Sequence, residues 1–384
     1  VNLLVNAVPL LAIPTGIPRY LRNLYGTLQA LEGPESVQVF CFDGKRSLRG
    51  LPKPVEPGPW TRKRTLLEKI PASLLLGFRC ARWWAYEQSL RWISAGRRYD
   101  LYHETGFVPA AQSHLPTVFS LYDLSLLRYA ETHPRDRVLF FEMYMKRRLH
   151  HATHILTISR FVQDEIQDLF RWPEGRISAV PLAPDAVFSP RPADRVVHVK
   201  KRLGIPGDYL LFVGSLEPRK NLWGLIQALR ICRSHIALVL VGWSGWGEKT
   251  WLGEACRHLG QRLIGLGFVD DELLACLYSG ASALVYPSLY EGFGLPIVEA
   301  MACGCPVICS NTSSMPEVAG GAARLVDPRD PEDLAAAIDH VLESSQYRQE
   351  LIRKGLARAA RYSWERTARE TRAVFEKVLE EARS

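Results

Sequence analysis

The sequence predicts an α/β protein of two domains, each folded on its own parallel sheet, and three observations carry that expectation. At 384 residues the chain is long enough for two cores of ordinary size. Short apolar, β-branched runs alternate with amphipathic stretches along the whole length, which is the rhythm of right-handed βαβ units. One polar, proline-bearing stretch without a strand signal, SPRPADRVVHVKKRLGIPG at 189–207, interrupts that rhythm near the middle. The expected domains are 1–188 and 189–363, followed by a last helix over 364–384 whose packing partner cannot be read from its own pattern.

In chain order, the first half offers VNLLVNAV, VQVFCF, DLYHE, TVFSLYD, THILTIS and RISAVPL as strands. The second half offers YLLFVG, IALVLVG, LIGLGFV, ALVYPS, PVICS and ARLVD. Helices fill the gaps, among them 17–31, 161–170, 222–231 and 331–342. Ligands of such sheets bind beyond the carboxyl ends of the strands, so the loops that follow strands are where chemistry is expected.

Charge is unevenly spread. The first 185 residues carry 24 Lys and Arg against 17 Asp and Glu, whereas the remainder carries 24 against 23. A basic half beside a neutral half fits either an anionic partner for one domain or an ordinary solvated surface. Eight cysteines are too few for a disulfide framework in a chain of this size, and none has zinc-finger spacing, so buried free thiols in a reducing compartment are expected. The opening run VNLLVNAVPLLAIP has no basic flank and is broken by two prolines, so it reads as a first strand and loop rather than a signal peptide. No apolar run approaches the ~18 residues of a membrane span. The expected setting is cytoplasmic, either free or peripheral at the inner face of the plasma membrane. The segment 62–98 bears on that choice, because it sets Trp83, Trp84 and Trp92 among arginines. Those tryptophans fit a helix lying on an anionic bilayer, and they equally fit the core side of a domain helix.

Four loops carry candidate chemistry. The first is EGFGLPIVE, with Glu291 and Glu299 separated by seven residues between the strand run ALVY and a helix opened by Pro296. Gly292 and Gly294 let a ligand approach the backbone, and the amides of Phe293, Gly294 and Leu295 sit where a helix start can hold an anion. A diphosphate resting there would leave Glu299 for ribose hydroxyls and Glu291 for those of a transferred sugar. Flanked by PSLYEGFGLP and AMACGCP, this pattern points to nucleotide-sugar chemistry. The second loop, GSLEPRKN, follows the strand YLLFV and precedes a helix that Asn221 can cap. Gly214 permits close approach, while Arg219 and Lys220 bring positive charge that can stabilise a departing diphosphate. The third, LAIPTGIPRY, places Thr15 and Gly16 at a helix start, as a phosphate dock or a plain turn. The fourth, SLYDLSLL, sets Tyr122 and Asp123 beyond a strand, where Asp123 either binds a sugar or acceptor hydroxyl or caps the next segment.

Other patterns exclude alternatives. GWSGWG at 242–247 does not fit G-x-G-x-x-G, and neither does the loop after the first strand, which argues against a nicotinamide enzyme. No D-x-D sequence is present to hold a metal–diphosphate pair, and His150, His151 and His154 lack H-E-x-x-H spacing, so neither a metal nor another cofactor is expected. No recognised nucleic-acid module accompanies the basic charge.

At these residues the chain resembles glycosyltransferase family four, and within it the mannosyltransferase-B-like group of bacterial polysaccharide and O-antigen enzymes. The likeness is strongest through FVGSLEPRKNL, VYPSLYEGFGLPIVEAMACGCPVICSN, MPEVAGGAA and YSW, and extends through TGIPRY, VFSLYDLSLL, LTISRF and VPLAPDAVF. It implies a GT-B fold: two Rossmann-like domains facing across a cleft, with the last helix returning to the first domain. It also implies metal-independent transfer with retention, the second domain holding the sugar nucleotide and the first the acceptor. Position by position, Lys220 answers to the diphosphate-binding lysine, Glu291 to the carboxylate at the donor sugar and Glu299 to the ribose ligand. Phe293, Gly294 and Leu295 answer to the loop amides, Gly16 to the first-domain glycine loop, and Phe268 and Val269 to the neighbourhood of the base. Ser215 stands where many relatives carry Arg, which throws charge neutralisation onto Arg219 or Lys220. Tyr122-Asp123 stands where many carry His-Asp, and Ala183 where glycine is usual near the hinge.

The expected activity is a retaining hexosyltransferase using GDP-mannose to extend a glycan or polyprenyl-diphosphate-linked acceptor. Three other readings stay open at this stage: a UDP-sugar-dependent hexosyltransferase, a sugar-nucleotide epimerase of the same fold, and a silent sugar-nucleotide-binding subunit.

Overall fold

A computed structural model describes residues 1–11, 16–33, 36–53, 71–96, 98–111, 114–242 and 250–384. The chain forms two compact units, Val1–Leu182 with Trp364–Ser384, and Ala183–Ser363. The division falls inside VPLAPD, ahead of the polar stretch that marks the break in the sequence. The reason is packing: Phe188 is buried in the second unit, its ring edge-on to Tyr278 at 5.9 Å.

The first unit is built on seven strands: β1 (Asn2–Asn6), β2 (Gln38–Phe42), β3 (Ser47–Arg49), β4 (Leu101–Glu104), β5 (Thr117–Ser120), β6 (His154–Thr157) and β7 (Ile177–Ala179). They lie in the order β3-β2-β1-β4-β5-β6-β7. Six are the strands expected from their apolar runs, and those six are parallel. The seventh, β3, is antiparallel to β2 and reached through a turn in which Asp43 Oδ1 accepts the N–H groups of Lys45 and Arg46, with Gly44 at φ +99°. The order reverses between β1 and β4. There Glu104 is fully buried, accepting from Asn6 Nδ2 at 2.5 Å, the Tyr102 hydroxyl at 2.7 Å and the Gly106 amide at 2.7 Å.

The last helix, Trp364–Glu381, belongs to this first unit. Its buried side chains Trp364, Ala368, Thr371, Phe375 and Val378 recur every three or four residues, giving one apolar stripe. That stripe packs on the helix Gly16–Glu32, and Phe375 meets the buried ring of His103 on β4 at 5.4 Å. Thr367 Oγ1 donates to the carbonyl of Pro181 at 2.7 Å, fastening the helix beside the point where the units divide.

The helix Ala72–Ser94 shows how the three tryptophans are used. Trp83 stacks on Tyr86 at 5.1 Å and packs against two apolar clusters of the unit. Trp84 and Trp92 point the other way, 65% and 83% exposed, with Leu74 at 65% and Phe78 at 69%. One of the three tryptophans thus packs on the core, and the other two lie on the exposed face of the same helix. Residues 54–70, with the basic run TRKR, lie outside the described part.

The second unit carries six parallel strands: β8 (Tyr209–Val213), β9 (Ala237–Val241), β10 (Leu263–Gly267), β11 (Ala283–Tyr286), β12 (Val307–Ser310) and β13 (Arg324–Val326). Their order is β10-β9-β8-β11-β12-β13. The central runs YLLFV and ALVY are buried throughout, as parallel strands covered by helices on both faces must be. Leu210, Phe212, Leu225, Leu238, Val285 and Ile338 share one continuous core. Capping residues fix the helix starts: the Asn221 side chain accepts from Gly224, and that of Asp330 from Glu332 and Asp333.

Among the described residues no helix is long and apolar enough to cross a membrane. All eight cysteines are free thiols; six are buried as expected, while Cys80 is half-buried and Cys256 exposed.

Candidate active site

Strand order decides where the second unit has room for chemistry. β8 and β11 are neighbours, with Leu210 beside Ala283 and Leu211 beside Leu284, and the sheet is wound outward in opposite senses from that pair. The loops leaving their carboxyl ends separate and open a crevice, the position where open α/β sheets take ligands. The loop after β8 is GSLEPRKN, and the loop after β11 is PSLYEGFG. Residues more than sixty positions apart in the chain meet there because the two strands are adjacent.

Lys220 Nζ lies 2.5 Å from Glu291 Oε1 and donates to the Tyr286 hydroxyl at 2.9 Å. Tyr286, the last residue of β11, donates in turn to Glu291 Oε1 at 2.9 Å. Arg219 reaches Glu291 Oε2 at 3.2 Å and Glu217 Oε1 at 2.8 Å, and it also donates to the carbonyl of Tyr290. Glu217, Arg219, Lys220 and Glu291 are all buried. Burial works to push the Glu291 carboxyl up, but Lys220 and then Arg219 outweigh it and hold it down at about 2. Two cations and two carboxylates thus form a buried, balanced cluster at the mouth of the crevice.

The backbone is shaped to the same place. Gly214 takes φ +152° directly against the Lys220 stem, and Gly242, at the end of β9, comes so near that a Cβ there would lie 2.0 Å from the Gly214 carbonyl oxygen. A glycine in GWSGWG therefore serves strand approach, while 243–249 lie outside the described residues. Gly294 at φ +99° turns the chain into the helix Leu295–Ala302, and Phe293, Gly294 and Leu295 bring their amides to its positive end. The segment after β12 braces this loop: Ser313 Oγ accepts the Glu291 amide at 3.0 Å, and Ser314 Oγ lies 2.9 Å from the Glu291 carbonyl and 3.0 Å from that of Phe293.

Glu299, one turn into that helix, is buried and accepts from the Tyr278 hydroxyl at 3.1 Å. Phe268 and Val269 follow the edge strand β10, and Phe268 is half exposed. Ser215 is half-buried and its carbonyl accepts the Glu217 amide at 2.9 Å. In the first unit, Tyr122 donates to the Thr105 carbonyl at 3.3 Å and meets the Tyr20 ring edge-on at 5.7 Å. Asp123 Oδ1 accepts the Ser125 amide at 2.8 Å, two residues further along the chain. Gly16 opens the helix Gly16–Glu32, exposed and with open space where a Cβ would stand; Thr15 lies outside the described residues. The structure thus gathers Gly214, Arg219, Lys220, Glu291 and the Phe293–Leu295 backbone at one crevice. Four contributors went unnoticed in the sequence, namely Glu217, Tyr286, Ser313 and Ser314; Tyr286 reads there simply as a strand residue.

Two parallel-sheet units, one bearing a buried cation–carboxylate cluster at its switch point, are the architecture of a GT-B glycosyltransferase. Comparison with known proteins agrees. The family described as "Glycosyltransferase Family 4" matches residues 14–188, and "Glycosyl transferases group 1" matches 198–358. The O-antigen chain mannosyltransferase B of Escherichia coli is 39% identical over 287 residues, covering 73% of this chain and 75% of that one. The MMP alpha-(1->4)-mannosyltransferase of Mycolicibacterium hassiacum is 30% identical over 314 residues, covering 75% and 73%. Among solved structures, the sucrose-phosphate synthase of Thermosynechococcus elongatus superposes with a TM-score of 0.75 at 21% identity, over 100% of this chain and 99% of that one. The chain belongs to glycosyltransferase family four, in its mannosyltransferase-B-like group.

Proposed function

We propose that this glycosyltransferase moves mannose from GDP-mannose onto a lipid-linked glycan in bacterial O-antigen synthesis, retaining anomeric configuration and using no metal. The observation that carries the reading is the Lys220–Glu291 contact at the β8/β11 switch point, beside a helix start. Similarity to the E. coli O-antigen chain mannosyltransferase B supports the choice of sugar.

In this reading the diphosphate lies against Lys220 and the amides of Phe293, Gly294 and Leu295. Glu291 takes hydroxyls of the hexose, and Glu299 those of the ribose. The bond between the anomeric carbon and the diphosphate oxygen breaks while the acceptor oxygen bonds to that carbon on the same face. The acceptor's proton passes to the departing phosphate, whose growing charge Lys220 stabilises. The protein's own cations supply the neutralisation that a metal gives elsewhere. Replacing Glu291 or Lys220 by Ala is expected to abolish transfer of labelled mannose; turnover close to wild type in either folded variant would overturn the assignment.

The first unit would hold the acceptor, and the outer face of the helix Ala72–Ser94 suits an anionic bilayer. Leu74, Phe78, Trp84 and Trp92 lie exposed on it together with Arg82 and Arg91, and aromatic side chains beside arginines settle at the headgroup boundary. Co-sedimentation with phosphatidylglycerol vesicles, weakened by salt and by Trp92→Glu, is the expected outcome. Equal recovery with neutral phosphatidylcholine vesicles would remove the electrostatic part of the proposal.

A further inference from the structure

We infer that Glu217, Arg219 and Tyr286 act as a clamp on Glu291, keeping its carboxylate aimed at the donor hexose while Lys220 shifts its contact to the diphosphate. The inference rests on the donor-site reading above and adds positioning residues to it.

The two cations of the cluster are not equivalent. Arg219 is held on three sides, by Glu217 Oε1 at 2.8 Å, Glu291 Oε2 at 3.2 Å and the Tyr290 carbonyl. A planar guanidinium fixed in that way stays where it is. Lys220 is a point charge on a flexible stem, held by Glu291 Oε1 at 2.5 Å and the Tyr286 hydroxyl at 2.9 Å. As it stands the cluster carries no net charge, so an arriving diphosphate draws on whichever cation can move. That is Lys220.

Its departure would strip a buried carboxylate of its nearest cation unless something remains. Something does remain on each oxygen: Tyr286 donates to Oε1 at 2.9 Å, and Arg219 faces Oε2 at 3.2 Å. These, with Lys220, are the titratable groups facing Glu291 among the described residues, and Glu217 stands behind Arg219. Glu217 itself is buried, and its Oε2 has no hydrogen-bond partner. A buried carboxylate left half-satisfied costs stability, and such costs persist where they serve a site. Here the return is a fixed Arg219.

The test measures kcat, donor KM and the Kd for GDP in Tyr286→Phe, Glu217→Gln and the rescue variant Glu217→Asp, with melting curves to show that each is folded. Tyr286→Phe and Glu217→Gln are each expected to lower kcat about tenfold, the size of one lost hydrogen bond to a charged group. GDP affinity should stay within about threefold of wild type, because Lys220 and the helix amides remain. Glu217→Asp should recover part of the loss, and Glu217→Gln should add nothing in an Arg219→Met background. Unchanged kcat in both variants would overturn the clamp, as would a loss confined to GDP affinity. If the donor-site reading itself were wrong, Lys220→Ala and Glu291→Ala would keep their turnover as well; if only the clamp is wrong, those two still fail.

Discussion

Replacing Lys220 by Met keeps the side-chain stem and removes the charge, which makes it the sharpest probe of the cluster. Nζ lies 2.5 Å from Glu291 Oε1, and both side chains are buried to about nine-tenths. In the folded protein Glu291 titrates at about 2, since Lys220 and then Arg219 overcome the upward pressure of burial. Against an unfolded value near 4.3, that depression is worth roughly 3 kcal/mol at neutral pH. Because the folded value is the lower one, this stability is fully present above about pH 4.3 and is lost as pH falls toward 2. Breaking a buried pair outright costs about 3–5 kcal/mol, but Arg219 and Tyr286 stay on the carboxylate, so a loss of roughly 2–3 kcal/mol is expected. For a unit of this size that lowers the melting temperature by about 5–10 °C. Transfer should suffer more, falling ~10²–10³-fold, as when one donor to a developing negative charge is removed. The assay pairs thermal melting with transfer of labelled mannose from GDP-mannose to a lipid-linked acceptor. A folded variant that melts lower yet turns over within a few-fold of wild type would exclude Lys220 as a catalytic group.

Three further outcomes follow from the geometry. Adjacent residues of β4 pull stability in opposite directions with pH: burial holds His103 down at about 3 and pushes Glu104 up to about 7. His103 therefore favours folding above pH ~6.5 and loses that contribution as pH falls toward 3, whereas Glu104 weakens folding as pH rises from ~4.3 to 7. In denaturant titrations, Glu104→Gln should leave a stability that rises with pH, and His103→Gln one that falls, each by up to ~1.4 kcal/mol per pH unit between pH 4.5 and 6.5; parallel slopes would contradict the assignment. Gly294→Ala should cost about 1–3 kcal/mol, since φ is +99° and the new methyl would lie 3.1 Å from Ile297 Cδ1, and a melting temperature equal to wild type would contradict it. Tyr278→Phe removes the hydroxyl that donates to Glu299 at 3.1 Å, so GDP binding should weaken several-fold in calorimetry, with an unchanged Kd as the contrary result.

Much of this was legible in the sequence. Twelve strands of the two sheets announce themselves as apolar runs, the central ones because parallel strands there are buried on both faces, while edge strand β10 is readable though partly exposed. β3 escaped because three residues, two of them exposed, leave no pattern to read. The loop pair GSLEPRKN and EGFGLPIVE was visible through its glycines and charges, yet its assembly depended on β8 and β11 being neighbours, which no local pattern states. Tyr286 was hidden for a related reason. At the end of an apolar run it reads as core, and only the fold shows its hydroxyl between Lys220 and Glu291. Arg219 reads as a loop cation available to phosphate, and only the fold shows it buried against Glu217, Glu291 and the Tyr290 carbonyl. The exposed face of Ala72–Ser94 was likewise undecidable from composition, because the same tryptophan-rich run supplies both core and surface.

A crystal structure of the protein with GDP-mannose would show directly whether the Lys220–Glu291 cluster is the donor site. The diphosphate is expected against the start of the helix Leu295–Ala302 with a phosphate oxygen about 3 Å from Lys220 Nζ, a ribose hydroxyl on Glu299 and a mannose hydroxyl on Glu291. A nucleotide bound away from the β8/β11 crevice, or Lys220 and Glu291 still closed on each other beside an occupied site, would contradict it.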